Sequence, residues 1–103
     1  MTPEKRERLK LAGFRVGDAA DFLGLTPEEN EMVEVRVSLA RLVSDLRRST
    51  RMTQKQLATR IGSDQARISR LESADQSVSV DQMLEVAFAL GASRKDIADV
   101  LAA

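Results

Sequence analysis

Gln65, Ala66, Ser69 and Arg70 lie within a few residues of one another and have side chains whose chemistry suits the edges of base pairs. A Gln amide can hydrogen-bond adenine twice, an Arg guanidinium can do the same with guanine, and an Ala methyl can meet the methyl of thymine. On a helix turning by about 100° per residue, Ile68 and Leu71 point to one side and Ala66, Ser69 and Arg70 to the other. Gln65 projects from the first turn. A helix with only a structural task covers its outer face with Glu and Lys; this face is short and polar with one long Arg, which suits close approach to a duplex. Ser69 is placed to touch a base or a phosphate. Arg67 lies about 110° from the centre of the face, where a phosphate, an intramolecular pair with Asp64 and a base are competing partners. Gln54, Lys55, Ser63 and Arg51 flank the stretch and carry donors for the sugar–phosphate backbone. Arg47 and Arg48 either approach that backbone or form a solvated helix end favoured by the dipole, and Arg60 reads as a surface-paired residue.

Positioning such a face requires short helices and a tight corner. Thr26-Pro27-Glu28-Glu29 places a hydroxyl at an N-cap, Pro at the first helical position and Glu three residues after the cap. Thr53–Gln56 and Ser79–Gln82 are capping boxes, Ser93–Asp96 is a looser version, and Ser63 is the expected cap of the helix that carries the reading face, with Asp64 favourable to its dipole. Gly24, Gly62 and Gly91 are expected stops. Val35, Leu39, Leu42, Val43 and Leu46 predict an amphipathic helix over about 28–49. Leu57, Ala58 and Ile61 line a second helix, Ile68 and Leu71 a third, Met83, Leu84, Ala87 and Leu90 a fourth, and Ile97, Val100 and Leu101 a fifth. Strand signals are nearly absent, so the expected fold class is all-α: a bundle of about five helices containing a helix-turn-helix. In it, Ala58 permits the second and third helices to approach and Gly62 makes the turn between them.

Residues 53–72 resemble the helix-turn-helix of the Xre family, the Cro/C1-type phage repressor group. The matching residues are Thr53, Gln54, Ala58, Gly62, Ile68, Ser69 and Glu72. The resemblance implies a λ-repressor-like bundle over roughly 30–101, with a recognition helix near 63–72 entering the major groove. It also implies that Gln54 bonds a phosphate and braces Gln65. One departure is Ala74, where the family often places Gly, so the loop over 72–76 and its phosphate contacts are expected to differ. The segment Phe22–Glu29 is similar to small Xre proteins that include HigA-like antitoxins, which repress their own operon and bind a toxin.

The 103 residues carry sixteen basic and sixteen acidic side chains, so net charge is zero, yet the charges are segregated. Residues 41–70 hold eight basic side chains against Asp45 and Asp64, residues 18–34 hold six acids and no base, and residues 71–103 hold six acids against Arg94 and Lys95. One positive face on a neutral chain suits a phosphate backbone. The acidic run is a solvated face or a site for a basic partner such as a toxin. There is no Cys or His, no Trp or Tyr, and only Phe14, Phe22 and Phe88 supply aromatic rings. Disulfides, Cys/His zinc sites, His- or Cys-based catalysis and aromatic stacking of single strands are thereby disfavoured. Paired acids such as Glu28 and Glu29 are explained by capping, and no enzymatic activity or cofactor is expected. Residues 1–25 read as an arm: Lys5, Arg6, Arg8 and Lys10 are a solubilising tail or reach flanking DNA, while Phe14, Val16, Phe22 and Leu23 must pack on something. Residues 26–103 read as the DNA-binding domain. A cytoplasmic, membrane-free homodimer on an operator is expected, with 11–25 or Ile97/Val100/Leu101 as its interface. A single recognition helix reads too few base pairs for genomic specificity.

Overall fold

The computed structural model describes residues 23–103, over which five helices form: α1 (Pro27–Ser49), α2 (Gln54–Ile61), α3 (Gln65–Glu72), α4 (Val80–Ala89) and α5 (Arg94–Ala102). No strand occurs among the described residues, and no helix there is long and apolar enough to cross a membrane. The expectations for the basic arm, for the stretch from Ala12 to Val16 and for Phe22 lie outside the described residues. The chain divides within α1 into two units, Met1–Val35 and Arg36–Ala103.

In the first unit α1 starts as its capping signal requires. Thr26 Oγ1 accepts from the Glu29 N–H at 3.1 Å, and the Glu29 carboxylate accepts from the Thr26 N–H at 3.1 Å. The Thr26 N–H foremost, and then the Thr26 hydroxyl, hold the Glu29 carboxyl below its usual range. Glu28, Glu29, Glu31 and Glu34 are exposed.

The second unit contains the bundle. Leu39 and Val43 of α1, Leu57 and Ala58 of α2, Ile68 and Leu71 of α3, Met83, Val86 and Ala87 of α4 and Ile97 of α5 are buried. Full burial of one of the larger of these, a Leu, Ile, Val or Met, contributes about 1.5–3 kcal/mol. Leu42, Leu46, Ile61, Leu84, Leu90 and Val100 are only half-buried, and Leu101 is 46% exposed. The periodicity therefore finds the right faces but places Leu84 too deep and passes over Val86. Val78, Ala74 and Ala92, in the connections, complete the core, as does Ala40. The half-buried Arg36 donates from Nη1 to the Val78 carbonyl, tying α1 to the approach to α4.

Four helices end in the same way, with a left-handed residue at the cap (α2) or just after it (α1, α3, α4) and two backbone bonds closing the last turn. At α2 and α4 that residue is Gly62 (φ 71°) or Gly91 (φ 97°). At α1 it is Arg51 (φ 59°), with Arg51 N–H on Arg48 O at 3.0 Å and Met52 N–H on Arg47 O at 3.2 Å. At α3 it is Ala74 (φ 56°), with Ala74 N–H on Leu71 O at 3.0 Å and Asp75 N–H on Arg70 O at 2.9 Å. A non-glycine residue in this region costs about 1–2 kcal/mol. The Ala74 methyl is buried and recovers about 0.8 kcal/mol, offsetting part of that cost. Arg51 is exposed and recovers nothing comparable.

Candidate nucleic-acid interface

The corner between α2 and α3 is built from caps on both sides of Gly62. Thr53 opens α2 with a complete capping box: its hydroxyl accepts from the Gln56 N–H at 3.1 Å, and the Gln56 amide oxygen accepts from the Thr53 N–H at 2.9 Å. At the other end the Ser63 N–H donates to Ala58 O at 2.8 Å and the Gly62 N–H to Thr59 O at 3.3 Å. Ser63 is thus still engaged in closing α2, and it does not cap α3 as the sequence suggested. Asp64 does, its Oδ1 accepting from the Arg67 N–H at 2.8 Å. A carboxylate is the better cap here, because it also meets the positive end of the helix dipole. Asp64 is paired with the Arg67 backbone, and no ion pair joins its carboxylate to the Arg67 guanidinium among the described residues.

With Ile68 and Leu71 buried, α3 turns Gln65, Ala66, Ser69 and Arg70 outward, and all four are exposed; Arg67 is half-buried at the side. Most polar side chains around them are already engaged within the fold. Thr53, Gln56 and Asp64 serve as caps, Thr59 bonds Lys55 O at 3.1 Å, and Ser73 Oγ bonds Arg70 O at 2.9 Å. By contrast, the Gln65 amide, the Ser69 hydroxyl and the Arg70 guanidinium form no hydrogen bond among the described residues. Lys55 and Arg51 are exposed and Ser63 is half-buried, also with uncommitted side chains.

Arg47 behaves differently from its neighbour Arg48. Its Nε and Nη2 fork onto Glu72 Oε2 and Oε1 at 2.7 and 3.0 Å, while Nη1 donates to Met52 O at 2.8 Å. The two side chains are only 11% and 8% exposed, so Arg47 is neither a solvated helix end nor placed on a nucleic-acid backbone. Gln54 departs from expectation too: its Nε2 donates to Glu72 Oε1 at 3.4 Å, and no bond braces it to Gln65. Burial pushes the Glu72 carboxyl upward, but the hydrogen bonds from Arg47 and Gln54, the Arg47 charge and a bond from Ser44 together exceed it, and the net shift is downward. Glu72, the last residue of α3, is therefore held as an anion between α1 and α2.

The sequence carried a signal for this clamp. On the α1 wheel Arg47 lies about 40° from the buried Val43, and on α3 Glu72 lies on the core side of the helix. Two opposite charges on apolar stripes require each other. Ser44 carried no such signal.

Removing Arg47 from the basic run leaves Arg41, Arg48, Arg51, Lys55, Arg60 and Arg70 exposed and Arg67 half-exposed, none of them in an ion pair among the described residues. Arg60 has only a long contact from Nη1 to Met52 Sδ at 4.0 Å. The α2–α3 corner thus combines two short, capped helices, an outward face of uncommitted polar groups and a surplus of free cations.

A helix-turn-helix domain family model matches residues 20–94, which include the whole corner. The chain belongs to this helix-turn-helix domain family, and its class is that of DNA-binding regulators. No curated protein and no solved structure matches it.

Proposed function

We propose that the chain is a non-catalytic, sequence-specific transcriptional regulator that inserts α3 into the major groove and represses by covering a promoter. The observation that carries this reading is the α3 face itself: Gln65, Ala66, Ser69 and Arg70 stand exposed, and none of their side chains bonds another described residue. Lys55 and Gln54 at the start of α2, Ser63 in the turn, Arg67 beside the face and Arg51 at the end of α1 act as phosphate contacts; Gln54 keeps one amide hydrogen for this after bonding Glu72. One α3 spans too few base pairs for useful selectivity, so two copies bind a roughly palindromic operator with half-sites about one helical turn apart. The exposed apolar side chains Phe88 and Leu101 support the pairing of copies through α4 and α5.

The test is the salt dependence of binding to a pool of random-sequence duplexes. Three cations per copy (Arg51, Lys55, Arg67) give a dimer about six phosphate contacts, hence a slope near −5 in log K against log salt. Affinity should fall by about a thousandfold between 50 and 200 mM salt. Arg51→Gly separates the interface from the fold: relief of the left-handed backbone should raise Tm by a few degrees, while the slope becomes shallower by about one per copy. Binding indifferent to salt, or absent, would sink the regulator reading.

A further inference from the structure

The order of side chains along α3 constrains the operator as well as the protein. Ala66 points within about 10° of the direction opposite Ile68 and Leu71, Ser69 and Arg70 diverge from it by about 50° to either side, and Gln65 lies about 90° away on the Ser69 side. Gln65 and Arg70 therefore lean toward opposite walls of any groove that Ala66 faces. They are separated by about 7.5 Å along the axis, which is about two base-pair steps of a duplex rising about 3.4 Å per pair. Neither acid of the helix region competes for base edges: Asp64 is engaged as the cap and Glu72 in the Arg47 clamp. The face thus offers one amide, one guanidinium, one hydroxyl and one methyl, with no carboxylate to select the cytosine amine.

We propose that each operator half-site holds an A·T pair read by Gln65 and a G·C pair read by Arg70. The adenine and guanine lie on opposite strands about two base-pair steps apart, and a thymine methyl between them faces Ala66. This rests on the reading that α3 enters the major groove, and it adds the identity, strand and spacing of the bases.

The experiment is selection of bound sites from random duplex DNA by the full chain, run in parallel with Gln65→Ala and Arg70→Ala. Both side chains are exposed and unbonded, so circular dichroism and Tm should match the wild type and show that the variants fold. The wild-type motif should contain the opposite-strand A and G at that spacing. Arg70→Ala should lose only the guanine preference and Gln65→Ala only the adenine preference, each binding the wild-type site roughly ten- to a hundredfold more weakly. A clear motif that lacks this pair of bases, or variants that retain the preference assigned to the missing side chain, would overturn the inference and leave the regulator reading standing. No enriched sequence at all with the wild type would overturn both.

Discussion

Replacing Arg47 with alanine is expected to cost about 3–5 kcal/mol of folding stability. The guanidinium holds both Glu72 oxygens and the Met52 carbonyl, and its removal strands a carboxylate that is 8% exposed. Gln54 and Ser44 remain as donors but carry no charge. The carboxyl's alternative is to take a proton, which at neutral pH costs about 3–4 kcal/mol and so sets a similar ceiling. The pH dependence follows with its sign. In the wild type Glu72 titrates below its unfolded value, so its contribution is complete above the ordinary carboxylate range and disappears as pH falls through the lowered folded value. In the variant the lowering by Arg47 is gone, and burial, which raises the carboxyl, is opposed only by Gln54 and Ser44, so acidification costs the variant less than the wild type. The gap between the two proteins should therefore close as pH drops from 7 toward 4. Urea denaturation at several pH values measures it, and Arg47→Met/Glu72→Met should lose less than Arg47→Ala alone, because no charge is left buried. A loss under about 1 kcal/mol at pH 7 would show that the clamp does not hold α3 in place.

The second large effect concerns recognition with the fold intact. Gln65→Ala together with Arg70→Ala should weaken binding to the selected operator by about 2–6 kcal/mol, since each side chain contributes about 1–3 kcal/mol of discrimination. The two lean to opposite sides of α3 and share no partner, so their effects should add. Stability should change by less than about 0.5 kcal/mol, as both are exposed and unbonded. Residual binding should be the phosphate component alone, with the salt slope nearly unchanged and preference for the operator over random duplex gone. Full retention of that preference in an anisotropy titration would remove both residues from base reading.

What the sequence made legible was whatever local chemistry decides. Thr26, Thr53, Ser79 and Ser93 cap as their spacing with Glu29, Gln56, Gln82 and Asp96 requires, because a capping box needs only residues within one turn. The outward turn of Gln65, Ala66 and Arg70 followed from the opposite position of Ile68 and Leu71 on the wheel. What escaped was set by partners distant in the chain. Arg47 meets Glu72 across 25 positions, and only the α1 wheel, not residue type or neighbourhood, separates it from the exposed Arg48. Gln54 turns to Glu72 because a carboxylate is a stronger acceptor than the amide of Gln65. Ser63 and Asp64 both make good caps, and the choice between them depended on how many residues the left-handed exit of α2 consumes. Arg51 and Ala74 at left-handed positions contradict residue preference, so periodicity alone could not find them.

The most direct test of α3 as the DNA-facing element is a titration of the isotope-labelled full chain with the selected operator duplex, followed through its backbone amide NMR signals. The largest shifts should map to Gln65–Arg70, with smaller ones at Arg51, Gln54, Lys55 and Ser63, while the amides of α4 and α5 distant from any contact between copies stay in place. Shifts confined to α4 and α5 with Gln65–Arg70 unmoved would contradict the assignment of α3 as the reading helix.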